Sequence, residues 1–75
     1  MEGPDTLERA ELRGHIQEAV QKLPERQREV FELRALVGLD HAEVAERLGI
    51  REDNVRANYY QAIRKLRSEL GDELT

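Results

Sequence analysis

Gly49 stands four residues after Ala45 and between two apolar stripes, and this spacing constrains the fold more than any other feature of the sequence. Two helices can cross steeply through a short turn only under three conditions. A small residue must face the crossing, the turn must contain a residue free to take positive φ, and apolar side chains must fix both helices to one core. Ala45 meets the first condition, Gly49 the second, and Val44, Leu48, Ile50 and Val55 the third. The spacing predicts a helix-turn-helix over roughly residues 40–67.

The flanking residues give the boundaries. Asp40-His41-Ala42-Glu43 has the form of a capping box, with Asp40 as N-cap and Glu43 three residues on, and Gly49 closes the short helix. Glu52 or Asp53 opens the next helix. Its stripe of Val55, Tyr59, Ala62, Ile63, Leu66 and Leu70 has the cleanest helical period in the chain, and Gly71 is expected to end it. Upstream, Asp5-Thr6-Leu7-Glu8 reads as another capping box. Leu12, Ile16, Ala19, Val20 and Leu23 form the stripe of a first helix that Pro24 stops. Pro24 then suits the first turn of a second helix with Val30, Phe31, Leu33, Leu36 and Val37 facing inward and Gly38 as a left-handed C-cap.

Leu, Glu, Arg, Ala and Gln dominate, while β-branched and aromatic residues are scattered. The expected fold class is therefore all-α: a compact four-helix domain containing a helix-turn-helix, without a winged element. A chain of 75 residues has room for one small domain, expected over residues 1–75 with an ordered core of about 6–70 and frayed ends. There is no cysteine, no apolar run of membrane-spanning length and no signal-peptide pattern at the start, so a cytoplasmic protein without membrane contact is expected. His15 and His41 stand in different elements with no converging partners and are expected at the surface. With no Gly-rich phosphate loop and no Ser-His-Asp set, neither an enzyme nor a cofactor or metal site is expected.

The net charge of −4 argues against nucleic acid until its distribution is read. Residues 1–25 carry a net −3 and residues 68–75 another −3, whereas residues 26–67 carry +2. The acid lies at the ends, and the helix-turn-helix is mildly basic. In such a motif the second helix enters the major groove of duplex DNA. Removing its inward positions leaves a polar, hydrogen-bonding face. Arg56 suits guanine, Asn54, Asn58 and Gln61 suit adenine, and Ala57 suits a thymine methyl. Tyr60, Arg64 and Arg67 lie further along, nearer to phosphates. Tyr59 falls on the core stripe. Tyr60 points away from the core and is assigned to nucleic-acid contact.

The run from Leu23-Pro24-Glu25-Arg26-Gln27-Arg28 through Glu43-Val44-Ala45-Glu46-Arg47-Leu48-Gly49-Ile50 to Arg64-Lys65-Leu66-Arg67 resembles region 4 of sigma-70 family factors, especially the extracytoplasmic-function group. The resemblance covers roughly residues 12–70. It implies recognition of the promoter −35 element in double-stranded DNA, docking on the β flap of core RNA polymerase, and control by an anti-sigma factor. It also implies DNA contacts at Arg51, Asn54, Arg56, Ala57, Asn58, Tyr60 and Gln61, beside the Arg64 already placed on that face, with Arg26, Arg28 and Arg34 near the DNA backbone. Asp40 replaces a common Ser, and Asn58 and Gln61 stand where arginines are common. A sigma factor also needs a domain for the −10 element. None is present, so an excised fragment or a stand-alone regulator is expected, as a monomer. Two alternatives remain at this point: a LuxR-type DNA-binding output domain, which would dimerise, and a protein-interaction module without useful DNA affinity.

Overall fold

The computed structural model describes the backbone of residues 4–74 and the side chains of residues 10, 11 and 13–71. Four helices follow in order: α1 Pro4–Gln21, α2 Glu25–Phe31, α3 His41–Leu48 and α4 Glu52–Leu74. Among the described residues there is no strand. A π-helical segment, Glu32–Val37, continues α2.

The predicted boundaries hold best around the helix-turn-helix. Asp40 accepts from the Glu43 N–H at 2.8 Å, and the Glu43 carboxylate accepts from the Asp40 N–H at 2.9 Å. This reciprocal cap satisfies two N–H groups that the first turn of α3 leaves open, and a residue such as Asp at this position is worth about 1 kcal/mol over Ala. At the other end, Gly49 takes φ 68° and donates to the Ala45 carbonyl, which also accepts from Ile50 at 3.0 Å. A residue with a Cβ would be strained there, which is why the turn needs glycine.

Four expectations are corrected. Pro24 is the N-cap of α2, with φ −55° and ψ 150°, and does not occupy the first helical turn. The proline ring fixes φ at a value that suits either place. Gly71 does not end α4, which runs on to Leu74; mid-helix glycine costs only about 1 kcal/mol, and Leu66 and Leu70 hold the helix against the core. Leu36 and Val37 are 70% and 61% exposed rather than inward. Their placement assumed 3.6 residues per turn, but here Gly38, at φ 94°, donates back to Leu33, five residues earlier, at 3.1 Å. Leu39 shares the same carbonyl at 2.9 Å. The wider turn breaks the α-helical stripe. At the N-terminus, α1 begins at Pro4, so Asp5 lies inside the helix rather than at its cap. The side chains of the expected Asp5–Glu8 box, and of Leu12, fall outside the described residues.

The core has two parts. Ala19, Val20 and Leu23 of α1 and its exit pack with Phe31 of α2 and Ala62, Leu66 and Leu70 of α4. A second cluster joins Val30 of α2, Val44 and Ala45 of α3, and Val55 of α4, with Leu33, Leu39, Leu48 and Ile50 partly buried around it. Tyr59 packs against both clusters. At 23 residues α4 is the spine, and it packs against each of the other three helices.

Ala45 is 8% exposed within the second cluster. Ala45→Leu is expected to overpack the crossing and lower unfolding stability by about 1–3 kcal/mol. Thermal or urea unfolding checks this, and unchanged stability would contradict the crossing's dependence on a small side chain.

Candidate nucleic-acid interface

With Val55, Ala62, Leu66 and Leu70 buried, helical geometry turns Asn54, Ala57, Gln61 and Arg64 to the opposite side of α4, and all four are exposed. Asn58 lies beside them, half-buried, and its amide Nδ2 donates to the Asn54 carbonyl at 2.8 Å. Along one edge, Glu52, Arg56, Tyr60 and Arg64 succeed one another at four-residue steps. The Arg56 guanidinium donates to Glu52 Oε1 at 3.3 Å, and the Arg64 guanidinium lies 5.9 Å from the centre of the Tyr60 ring. Tyr60 is 61% exposed, so this stack is open to solvent. Arg51 precedes the helix and pairs with Asp53 at 3.5 Å.

Eight of the eleven predicted site residues therefore share one helix and its entry. The other three belong to α2 and its π-helical extension, and they differ from one another. Arg26 is exposed and pairs with Glu29 at 3.8 Å. Arg28 is half-buried in the last turn of α2. Arg34 is turned inward: its Nη1 donates to the Leu39 carbonyl at 2.7 Å, and its guanidinium carbon sits 5.1 Å from the centre of the Tyr59 ring. Its Nε is buried. Arg34 thus ties the link between α2 and α3 to α4.

Tyr59 is the receiving surface for these contacts. Phe31 stacks on it with ring centres 6.3 Å apart and planes at 19°, and His41 meets it edge-on at 6.2 Å. His41, expected at the surface, is instead half-buried as a packing residue at the start of α3. The two features missed from sequence are the Arg34 contact and the carboxylates that hold Arg51 and Arg56. The second had a signal: Glu52 and Arg56 stand at i and i+4 and Asp53 and Arg56 at i and i+3, the spacings at which helical side chains meet. The first had none, since it depends on the path of the chain through Gly38 and Leu39.

A second surface lies away from this face. Ile16, Gln17, Val20 and Gln21 of α1, with Phe31, Glu32 and Leu36, line a shallow, mostly apolar groove. Among the described residues no group of His, Asp or Glu is arranged to hold a metal ion, and no helix is long and apolar enough to cross a membrane.

The capped α3, the turn at Gly49 and the long α4 that follows form a helix-turn-helix. Comparison with protein families matches residues 13–66 to "Sigma-70, region 4". The chain belongs to the sigma-70 region 4 family. Among curated proteins none matches it. Region 4 is a DNA-binding, non-catalytic domain of the sigma factors of transcription initiation. That assignment decides between the two DNA-binding resemblances in favour of sigma. The match runs from Arg13 to Leu66, so it spans the second half of α1, all of α2 and α3, and most of α4.

Arg34→Met keeps the apolar stem and removes the hydrogen bond and the ring contact. We expect unfolding stability to fall by about 1–2 kcal/mol, while the salt dependence of DNA binding keeps its slope. A slope reduced by about one, with stability unchanged, would make Arg34 a phosphate contact instead.

Proposed function

We propose that this chain recognises the promoter −35 element through α4 while docked on RNA polymerase by the β flap, as part of an extracytoplasmic-function sigma factor. The observation that carries this reading is the division of α4 into two sides. Its core side is locked by buried Val55, Ala62 and Leu66, and its opposite side presents Asn54, Ala57 and Gln61 in the open. A rigid helix with exposed amides and a methyl group matches the hydrogen-bonding and apolar edges of the major groove. Arg51, Arg56, Tyr60 and Arg64 flank that face, and Asn58 completes it. Arg26 and Arg28 on α2 are the proposed phosphate contacts. Arg34 supports the interface by fixing α3.

The low positive charge fits this division of labour. With a middle segment of only +2, phosphate attraction alone gives weak binding, so polymerase docking must supply affinity. The apolar groove between α1 and α2, with Leu36 and Val37 exposed beside it, is the proposed docking surface. An anti-sigma factor would act by covering this groove or the face of α4.

The test is binding to promoter duplexes at two salt concentrations, with and without the polymerase flap segment. Binding is expected to weaken steeply with salt and to strengthen with the flap. Arg56→Ala is expected to lower discrimination at one base pair by about 1–3 kcal/mol. Absence of binding even at low salt with the flap supplied would overturn the DNA reading in favour of a protein-interaction module.

A further inference from the structure

Glu52 lies outside the set of residues assigned to DNA, yet it is the closest ionic partner of Arg56. The contact runs from Arg56 Nη2 to Glu52 Oε1 at 3.3 Å, and Arg56 Nη1 stands 3.8 Å from Asp53 Oδ1. Asp53 also holds Arg51, at 3.5 Å. Both terminal nitrogens of Arg56 are thus faced by carboxylates of its own helix. All four side chains are solvent-exposed, with Arg56 at 57% and Glu52 at 46%, so the network is open to an incoming strand.

Resting on the DNA reading above, we propose that Glu52 is a selectivity residue that acts through Arg56, by competing with DNA phosphates for the guanidinium. A phosphate approaching Arg56 competes with the carboxylate already hydrogen-bonded to Nη2, and it meets the repulsion of Glu52 and Asp53 as it does so. That cost falls on every sequence alike. A guanine edge returns two hydrogen bonds to the fork of Arg56 and carries no net charge to be repelled. The pair therefore weakens backbone contact more than base contact, and so widens the gap between correct and incorrect sites. The same carboxylates also favour the positive N-terminal end of α4, so their presence costs the fold nothing. Because the pair is exposed, its effect is small: such pairs contribute the equivalent of roughly a two- to five-fold change in an equilibrium constant.

The experiment measures the affinity of the full chain for a random-sequence duplex, with Glu52→Gln, Arg56→Ala and the double variant, all checked for folding by circular dichroism. Glu52→Gln is expected to tighten binding by roughly two- to five-fold, and the gain should vanish when Arg56 is already Ala. An equal gain in both backgrounds would mean that Glu52 acts only as bulk negative charge, and no gain in either would mean that it does not compete; both results overturn the proposal. Retention on heparin, a polyanion without bases, repeats the comparison independently of promoter recognition. Later elution of Glu52→Gln, abolished in the double variant, supports the competition even if duplex DNA is not bound, a result that would sink the promoter reading alone. Identical elution of all four proteins overturns the competition itself.

Discussion

Val30, Val44 and Val55 are fully buried, one from each of three helices, and their mutual contact is what the helix-turn-helix depends on. A β-branched side chain on a helix has essentially one rotamer, so three valines meet as rigid shapes rather than adjustable ones. Ala45 beside them lets α3 approach α4 closely, and Gly49 lets the chain reverse without strain. Ala62, Leu66 and Leu70 hold the rest of α4 against α1 and α2. Together with the knot they determine which side of α4 faces outward, and with it the direction in which Asn54, Ala57 and Gln61 point.

Tyr59 carries that geometry to the rest of the molecule. It touches both clusters, stacks on Phe31, and receives Arg34 and His41 from either side of the link into α3. The apolar groove is lined by Phe31 as well, so the proposed docking surface and α4 share a wall of the same aromatic cluster. In a domain with few aromatic residues, this places most of the large-ring packing at one joint between the two surfaces.

Much of this was legible in the sequence, for physical reasons that differ by residue. The Asp40–Glu43 box, Gly49 and the stripe of α4 are local signals, fixed by hydrogen-bond geometry and a 3.6-residue period. Leu36 and Val37 were misplaced because a π-turn breaks that period, and nothing local announces it. Gly71 reads as a stop by propensity alone, but the apolar contacts of Leu66 and Leu70 outweigh its weak helix propensity. The ring contacts of Arg34 and His41 are tertiary and leave no local signal: Arg34 reads as a surface cation until Tyr59 is placed beneath it. On the α4 face the residue types and their side are readable, and the carboxylates that meet Arg56 stand at the local i+3 and i+4 spacings.

The central claim is that the valine knot presents the outer side of α4 to the major groove. It is tested most directly by amide chemical-shift mapping of the isotope-labelled chain, titrated at low salt with a duplex selected by this chain from a random pool. The account predicts that the largest shifts fall on residues 51–64, with smaller ones at Arg26 and Arg28, and that residues 14–21 of α1 stay unmoved. Shifts concentrated along the groove between α1 and α2, with residues 51–64 silent, would contradict it.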